Sequence, residues 1–194
     1  AGDGSMLWTV DGVAVCTETS DKGSLVIAGD GDAGVLLAWH DDRKGHGNIY
    51  AQHVAGDGGI VFGAGGIVVC GESGDQLDPD IASDGEGGAV VCWRDGRNSP
   101  IQVYAQRISS AGAELWTAGG IVAGAGPNDQ YAPKLCMDTS WNAVVYWTDY
   151  RHAGSGSVYA QRIDASGKLQ GAASGLPVYT GGGYVNDLVV RYDG

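Results

Sequence analysis

The sequence predicts an all-β chain of β-propeller blades: four-stranded antiparallel repeats of about 54 residues, forming a partial or assembled propeller. The first observation behind this is an internal period. Trp39, Trp93 and Trp147 stand 54 residues apart. Each opens the motif Trp-x-Asp-x-Arg, completed by Asp41 and Arg43, by Asp95 and Arg97, and by Asp149 and Arg151. Tyr-Ala-Gln follows at Tyr50, Tyr104 and Tyr159, the last step being one residue longer. A fixed period of this length marks a repeat architecture, in which each unit buries its apolar faces on its neighbours. The second observation is composition. The chain has 35 glycines, 5 prolines and 43% hydrophobic residues, with no helical period over any long window. Short strands joined by tight turns have this make-up. Third, Gly88–Asp95 is apolar on both faces, with Ala89, Val91 and Trp93 on one and Val90 and Cys92 on the other. Such a strand is covered on both sides, as in a blade that packs between two others.

The elements follow in order within each repeat. Strand one is expected over Leu25–Asp30, Pro79–Asp84 and Pro133–Asp138, each ended by a turn such as Gly85-Glu86-Gly87. Strand two spans Gly88–Asp95, and strand three spans Gln102–Ile108 or Val158–Ile163. Strand four runs from Glu114 to Val122 across Gly119-Gly120, read as a bulge. Gly12, Gly66, Gly120 and Gly175 mark the same point in successive repeats. The whole chain then divides into a terminal outer strand (1–24), three blades (25–78, 79–132 and 133–186) and the first strand of a further blade (187–194). An open arc leaves apolar faces and strand edges uncovered. The chain is therefore expected to be an excerpt of a longer one, or to meet further blades from another copy.

Charge and cysteines bound the chemistry. Asp and Glu number 23 against 11 Lys and Arg, a formal net charge of −12. That field repels phosphate backbones, so no nucleic-acid partner is expected. No apolar run approaches the roughly 20 residues of a membrane helix, so no membrane insertion is expected. Cys16, Cys70, Cys92 and Cys136 form no Cys-x-x-Cys and have no histidine at zinc spacing. They fall on apolar strand positions, as buried free thiols or with a Cys92–Cys136 disulfide as the alternative. No Gly-x-Ser-x-Gly elbow, phosphate loop or dinucleotide fingerprint occurs. No cofactor is predicted, with Ca²⁺ on the acidic loops as the one alternative.

The pattern Pro-x-Ile-x-x-Asp-Gly-x-Gly-Gly-Ala-x-Val-x-Trp-x-Asp-x-Arg, then Val-Tyr-Ala-Gln-Arg-Ile, resembles repeats of large secreted bacterial propeller proteins. More distantly it is similar to sialidase-like propellers, whose blades carry an Asp-box, Ser-x-Asp-x-Gly-x-x-Trp, between strands three and four. The corresponding stretches here are Ala1–Trp8, Ala55–Phe62, Ser109–Trp116 and Asp164–Gly171. Asp3 with Trp8, and Asp57 with Gly59 and Phe62, fit in part; Ala111 and Gly171 depart from the box. The resemblance implies a fold and an extracellular or cell-surface location. Sialidase-type catalysis would need an arginine cluster, a Tyr–Glu pair and an acid. The only glutamates, Glu18, Glu72, Glu86 and Glu114, show no such pairing in the sequence.

Candidate sites follow from the repeat and from its exceptions. Residues i, i+2 and i+4 of a strand share a face, so Asp95 and Arg97 are expected to pair bidentately with the guanidinium near Trp93. Threefold recurrence makes this motif structural. The loops between blades gather Asp75 and Asp129, as turn caps or as oxygen ligands. Tyr131, Tyr150 and His152 set blade three apart, and with Asp75, Asp129 and Asp149 they form the candidate ligand-binding set. Trp141 is expected at a hairpin tip on the opposite face. The leading expectation is a non-catalytic scaffold or recognition segment that binds protein or glycan through its loop faces. The alternatives are a fragment of a sialidase-like glycoside hydrolase and a purely structural, self-assembling unit.

Overall fold

The computed structural model describes residues 8–152 and 156–181. The described chain is all β, with twelve strands in three four-stranded antiparallel sheets. The first sheet is β1 (Lys22–Gly29), β2 (Val35–Asp41), β3 (Asn48–Val54) and β4 (Ile67–Cys70). The second is β5 (Gln76–Ser83), β6 (Ala89–Asp95), β7 (Gln102–Ile108) and β8 (Ile121–Gly124). The third is β9 (Gln130–Met137), β10 (Ala143–Asp149), β11 (Ser157–Ile163) and β12 (Leu176–Tyr179). Within each sheet the strands pair in chain order. These are propeller blades, and the chain forms part of a propeller. β5 packs on β1 and β2 of the sheet before it, and β9 packs on β5 and β6.

Alternation along strand two builds the core between blades. Ala89, Val91 and Trp93 join Leu36, Ala38, Ile49 and Val69 of the first sheet in one buried cluster. Val90 and Cys92 face the other way, into a cluster with Leu135, Val145 and Trp147 of the third sheet. On the far side of the first sheet, Trp8, Val13, Val15 and Cys16 pack on Leu37, Trp39 and Tyr50. Residues 8–21, expected within an outer strand, form no strand, because no neighbouring strand offers them a ladder among the described residues. The expected strand over 187–194 lies outside the described residues.

Two strand expectations need correction. Strand one begins three residues before its expected start, because a bulge lets the pairing continue past it. The register shifts between Leu77 and Asp80, and the same break occurs between Gly23 and Val26. Ser24, Asp78 and Ala132 occupy this bulge with left-handed φ of 51°, 53° and 50°. Strand four is shorter than expected. Glu114 makes only an isolated bridge to Ile108, and regular pairing starts at Ile121. Gly119 and Gly120, at φ 72° and 91°, form a turn that ends just before it. A Cβ on Gly120 would stand 2.6 Å from Cη2 of Trp93, and one on Gly66 2.8 Å from Cη2 of Trp39. Glycine is needed there because the tryptophan of the same blade occupies the space. The four cysteines are free, so Cys92 and Cys136 form no disulfide.

Ala132 is exposed and holds an L-residue in a region that costs roughly 1–2 kcal/mol. Ala132→Gly is expected to raise unfolding free energy by about 1 kcal/mol, read from urea denaturation. An unchanged midpoint would show that the bulge is unstrained.

Candidate functional site

Strands two and three of every blade face each other through the two repeat motifs. Trp39 is opposite Tyr50, Trp93 opposite Tyr104 and Trp147 opposite Tyr159. The rings stack with centroids 6.1, 6.3 and 6.3 Å apart. Two residues along, the aspartate is buried and accepts the indole N–H, at 3.2 Å for Asp41, 2.8 Å for Asp95 and 3.0 Å for Asp149. Arg97 grips Asp95 bidentately, Nε to Oδ1 at 2.9 Å and Nη2 to Oδ2 at 2.6 Å; Arg151 grips Asp149 likewise. Arg43 reaches Asp41 through Nη2 alone, at 2.6 Å. The guanidinium does not lie on the tryptophan. It covers the tyrosine of strand three, at 3.9 Å from the centroid of Tyr50, 4.2 Å for Tyr104 and 3.7 Å for Tyr159. The reason is that the indole turns its N–H edge to the carboxylate, while the opposite tyrosine offers an open face. The arginine also donates to the carbonyl of Gly65, Gly119 or Ser174, tying strand two to the loop before strand four.

Burial alone would raise the carboxyl pKa of Asp41. Hydrogen bonds from Arg43, Ser20 and Trp39 outweigh it and hold the group well below the usual range. Burial is likewise opposed at Asp149 by Arg151, Trp147 and Gln130, and its pKa is also lowered. In the same repeat, buried Gln52, Gln106 and Gln161 donate to Gly63, Thr117 and Ala172, at 2.7, 2.9 and 2.7 Å. This explains the third residue of Tyr-Ala-Gln, a role visible in the sequence as a fixed polar residue within a buried strand.

The loop face between blades carries the other candidates. Asp75 accepts the amide of Gly47 at 3.0 Å, and Asp129 accepts that of Ile101 at 2.8 Å, each across a blade boundary. Asp75, Asp129, Arg94, Asn98 and Ser99 line a cleft of about 480 Å³ between the second and third blades. Tyr131 donates to Asp129 at 3.1 Å and meets Tyr150 edge to face at 5.8 Å. Arg94 pairs with Asp78 at 2.6 Å and lies 5.6 Å from the Tyr131 ring. Asp75, Asp129, Tyr131 and Tyr150 therefore gather at this boundary. Asp149 does not join them; it is fully buried in the repeat motif. His152 does not either, standing instead 3.3 Å from the hydroxyl of Tyr159. Nothing in the sequence singles out Arg94, whose position between Trp93 and Asp95 reads as one more outward residue of a strand. Among the described residues no three His, Cys, Asp or Glu side chains converge to hold a metal ion.

No family model matches the chain, and no curated protein matches it. Solved structures of similar shape include a glycosyl hydrolase from Bacteroides ovatus, with 10% identity, TM-score 0.46 and coverage of 79% of this chain. Another comes from work on the GH130 family of mannoside phosphorylases, which contains glycoside hydrolases that target β-1,2 mannosidic linkages in Candida mannan. It has 12% identity, TM-score 0.45 and 79% coverage. The chain spans 52% of the length of each.

Three outcomes follow. Asp95→Ala leaves Arg97 without its carboxylate and is expected to cost about 3 kcal/mol, measured by urea unfolding; a cost below about 1 kcal/mol would make the pair dispensable. Asp41 and Asp149 have depressed pKa values in the fold, so their stabilisation is present above the unfolded value of about 4 and is lost as pH falls below it. The melting temperature is expected to drop steeply below about pH 4, and Asp41→Asn to flatten that drop. Burial raises the Cys70 thiol to about 11 and pushes Cys92 well above its ordinary value. Both are expected to resist iodoacetamide in the native chain and to react in urea, as mapped by mass spectrometry.

Proposed function

We propose that this chain is a non-catalytic β-propeller segment of a secreted or cell-surface bacterial protein, recognising a protein or glycan through its loop face. One observation carries this reading. The recurring arginine–carboxylate pairs, the residues best suited to an active site, are consumed in the same contact in all three blades. What differs between blades lies at the loop cleft, where Tyr131 and Tyr150 stand beside Asp129 and Arg94. Aromatic faces beside polar groups suit a sugar ring or a peptide side chain.

The test is an immobilised glycan array together with a pull-down against surface extracts, comparing the chain with Tyr131→Ala/Tyr150→Ala. Loss of capture by about tenfold, the scale of one or two aromatic contacts, supports the reading. Turnover of a fluorogenic sialoside by the purified chain overturns it and favours a hydrolase fragment. Calcium on the loop carboxylates belongs to the same proposal as an accessory. A titration with Ca²⁺ giving no heat and no gain in melting temperature removes it.

A further inference from the structure

We infer that Trp141 is the stacking platform of a carbohydrate site, on the face opposite the loop cleft, that takes an uncharged pyranose ring. This site stands independently of the loop-face reading.

Trp141 sits at the tip of the hairpin between β9 and β10, where Ala33 and Gly87 hold the same place in the other blades. The backbone there is left-handed, with φ of 58° at Trp141, 64° at Ala33 and 79° at Gly87. Glycine adopts this freely, whereas a large L-residue is strained. Burial does not offset the strain, because the Trp141 side chain is 56% exposed. The other five tryptophans each donate their indole N–H within the protein, to Gly56, Asp41, Asp95, Ala165 and Asp149. Trp141 makes no such bond among the described residues. Its ring is nevertheless seated. It lies across Gly85 of the preceding blade, where a Cβ would stand 2.5 Å from the six-membered ring. A strained, exposed side chain with a free polar edge, pinned on one side, is preorganised for a ligand.

Two clefts of about 430 and 520 Å³ meet at this ring, within the roughly 300–1,000 Å³ range of small-ligand sites. One is apolar, formed by Ala28, Ile81, Leu135 and Met137 on the inner strands. The other presents Asp32 and Ser110, both exposed and making no side-chain hydrogen bond among the described residues. A pyranose matches this combination. Its C–H face, weakly positive, lies on the electron-rich indole. Its hydroxyls donate to Asp32 and accept from the indole N–H. Of the carboxylates that line these clefts, Asp30 is paired with His53 and Asp138 with Arg162, while Asp32 makes no ion pair among the described residues, and its charge disfavours an acidic sugar.

The experiment follows the indole N–H signals by ¹H–¹⁵N NMR in the wild-type chain, Trp141→Gly and Tyr131→Ala. The probes are cellohexaose, maltohexaose, sialyllactose and tetramethylammonium at millimolar concentration. The Trp141 signal is assigned by its loss in Trp141→Gly. It is expected to shift with a neutral hexaose and not with sialyllactose. In isothermal titration with the same hexaose, Trp141→Gly is expected to lose that binding by at least about tenfold while melting at a higher temperature, and Tyr131→Ala to leave it unchanged. Any of three results overturns the inference. These are no shift with either neutral hexaose, a shift with tetramethylammonium alone, and a lower melting temperature for Trp141→Gly with binding retained. The last would make the ring a structural cover for Gly85.

Discussion

Each blade is organised around one buried carboxylate that receives an indole N–H, a guanidinium and a backbone amide at once. Asp95 takes all three, from Trp93, from the Arg97 side chain and from the Arg97 amide. A buried aspartate without such donors would be strongly destabilising; with them its negative charge becomes a joint. The arginine then spreads the constraint further. It covers the tyrosine of strand three and donates to the loop before strand four. Two strands and a loop are thus held in register by one charge pair, and the two halves of the sequence repeat are the two sides of this contact.

The same chemistry couples one blade to the next. The Arg97 guanidinium approaches Cys70 Sγ at 3.0 Å, so the end of the first blade's outer strand rests on the second blade's charge pair. Arg43 makes the matching contact with Cys16 at 3.2 Å. Buried Gln76 accepts from Asn48 of the preceding blade, and Gln130 from the amide of Val103, while Gln130 also donates to Asp149. Trp116 donates across the boundary to Ala165, as Trp8 does to Gly56. Dispersion and burial supply the attraction between blade faces. These polar contacts fix the relative position of the blades, because each leaves a buried group unsatisfied if the register slips.

Uniform joints leave little in the blades themselves to vary, so individuality appears at the rims. On the loop face the third blade adds Tyr131 and Tyr150. On the other face it adds Trp141 at a turn position where its siblings need only Ala or Gly. Even the turn carboxylates keep their pattern. Asp84 pairs with Arg107 and Asp138 with Arg162, while His53 replaces the arginine opposite Asp30. Residues that break a repeat without improving its packing are where recognition can arise at little cost to the fold.

The repeat was legible in the sequence because its residues are read at fixed spacing. The Trp-x-Asp-x-Arg and Tyr-Ala-Gln motifs, the apolar alternation of strand two and the four-stranded unit all follow from local periodicity. The bulge at Ser24, Asp78 and Ala132 was not legible, since a left-handed residue leaves no signature when it is Ser, Asp or Ala. The short fourth strand was hidden too. Gly120 reads as a kink within a strand, and only the indole of Trp93 above it shows why the chain must turn there. Asp149 and Asp129 look alike as sequence, yet one is buried in a blade and the other caps a neighbouring loop. Spacing along a strand determines which residues share a face. Which carboxylates meet a donor, and which reach solvent, depends on how neighbouring blades pack, because that packing joins groups far apart in the chain.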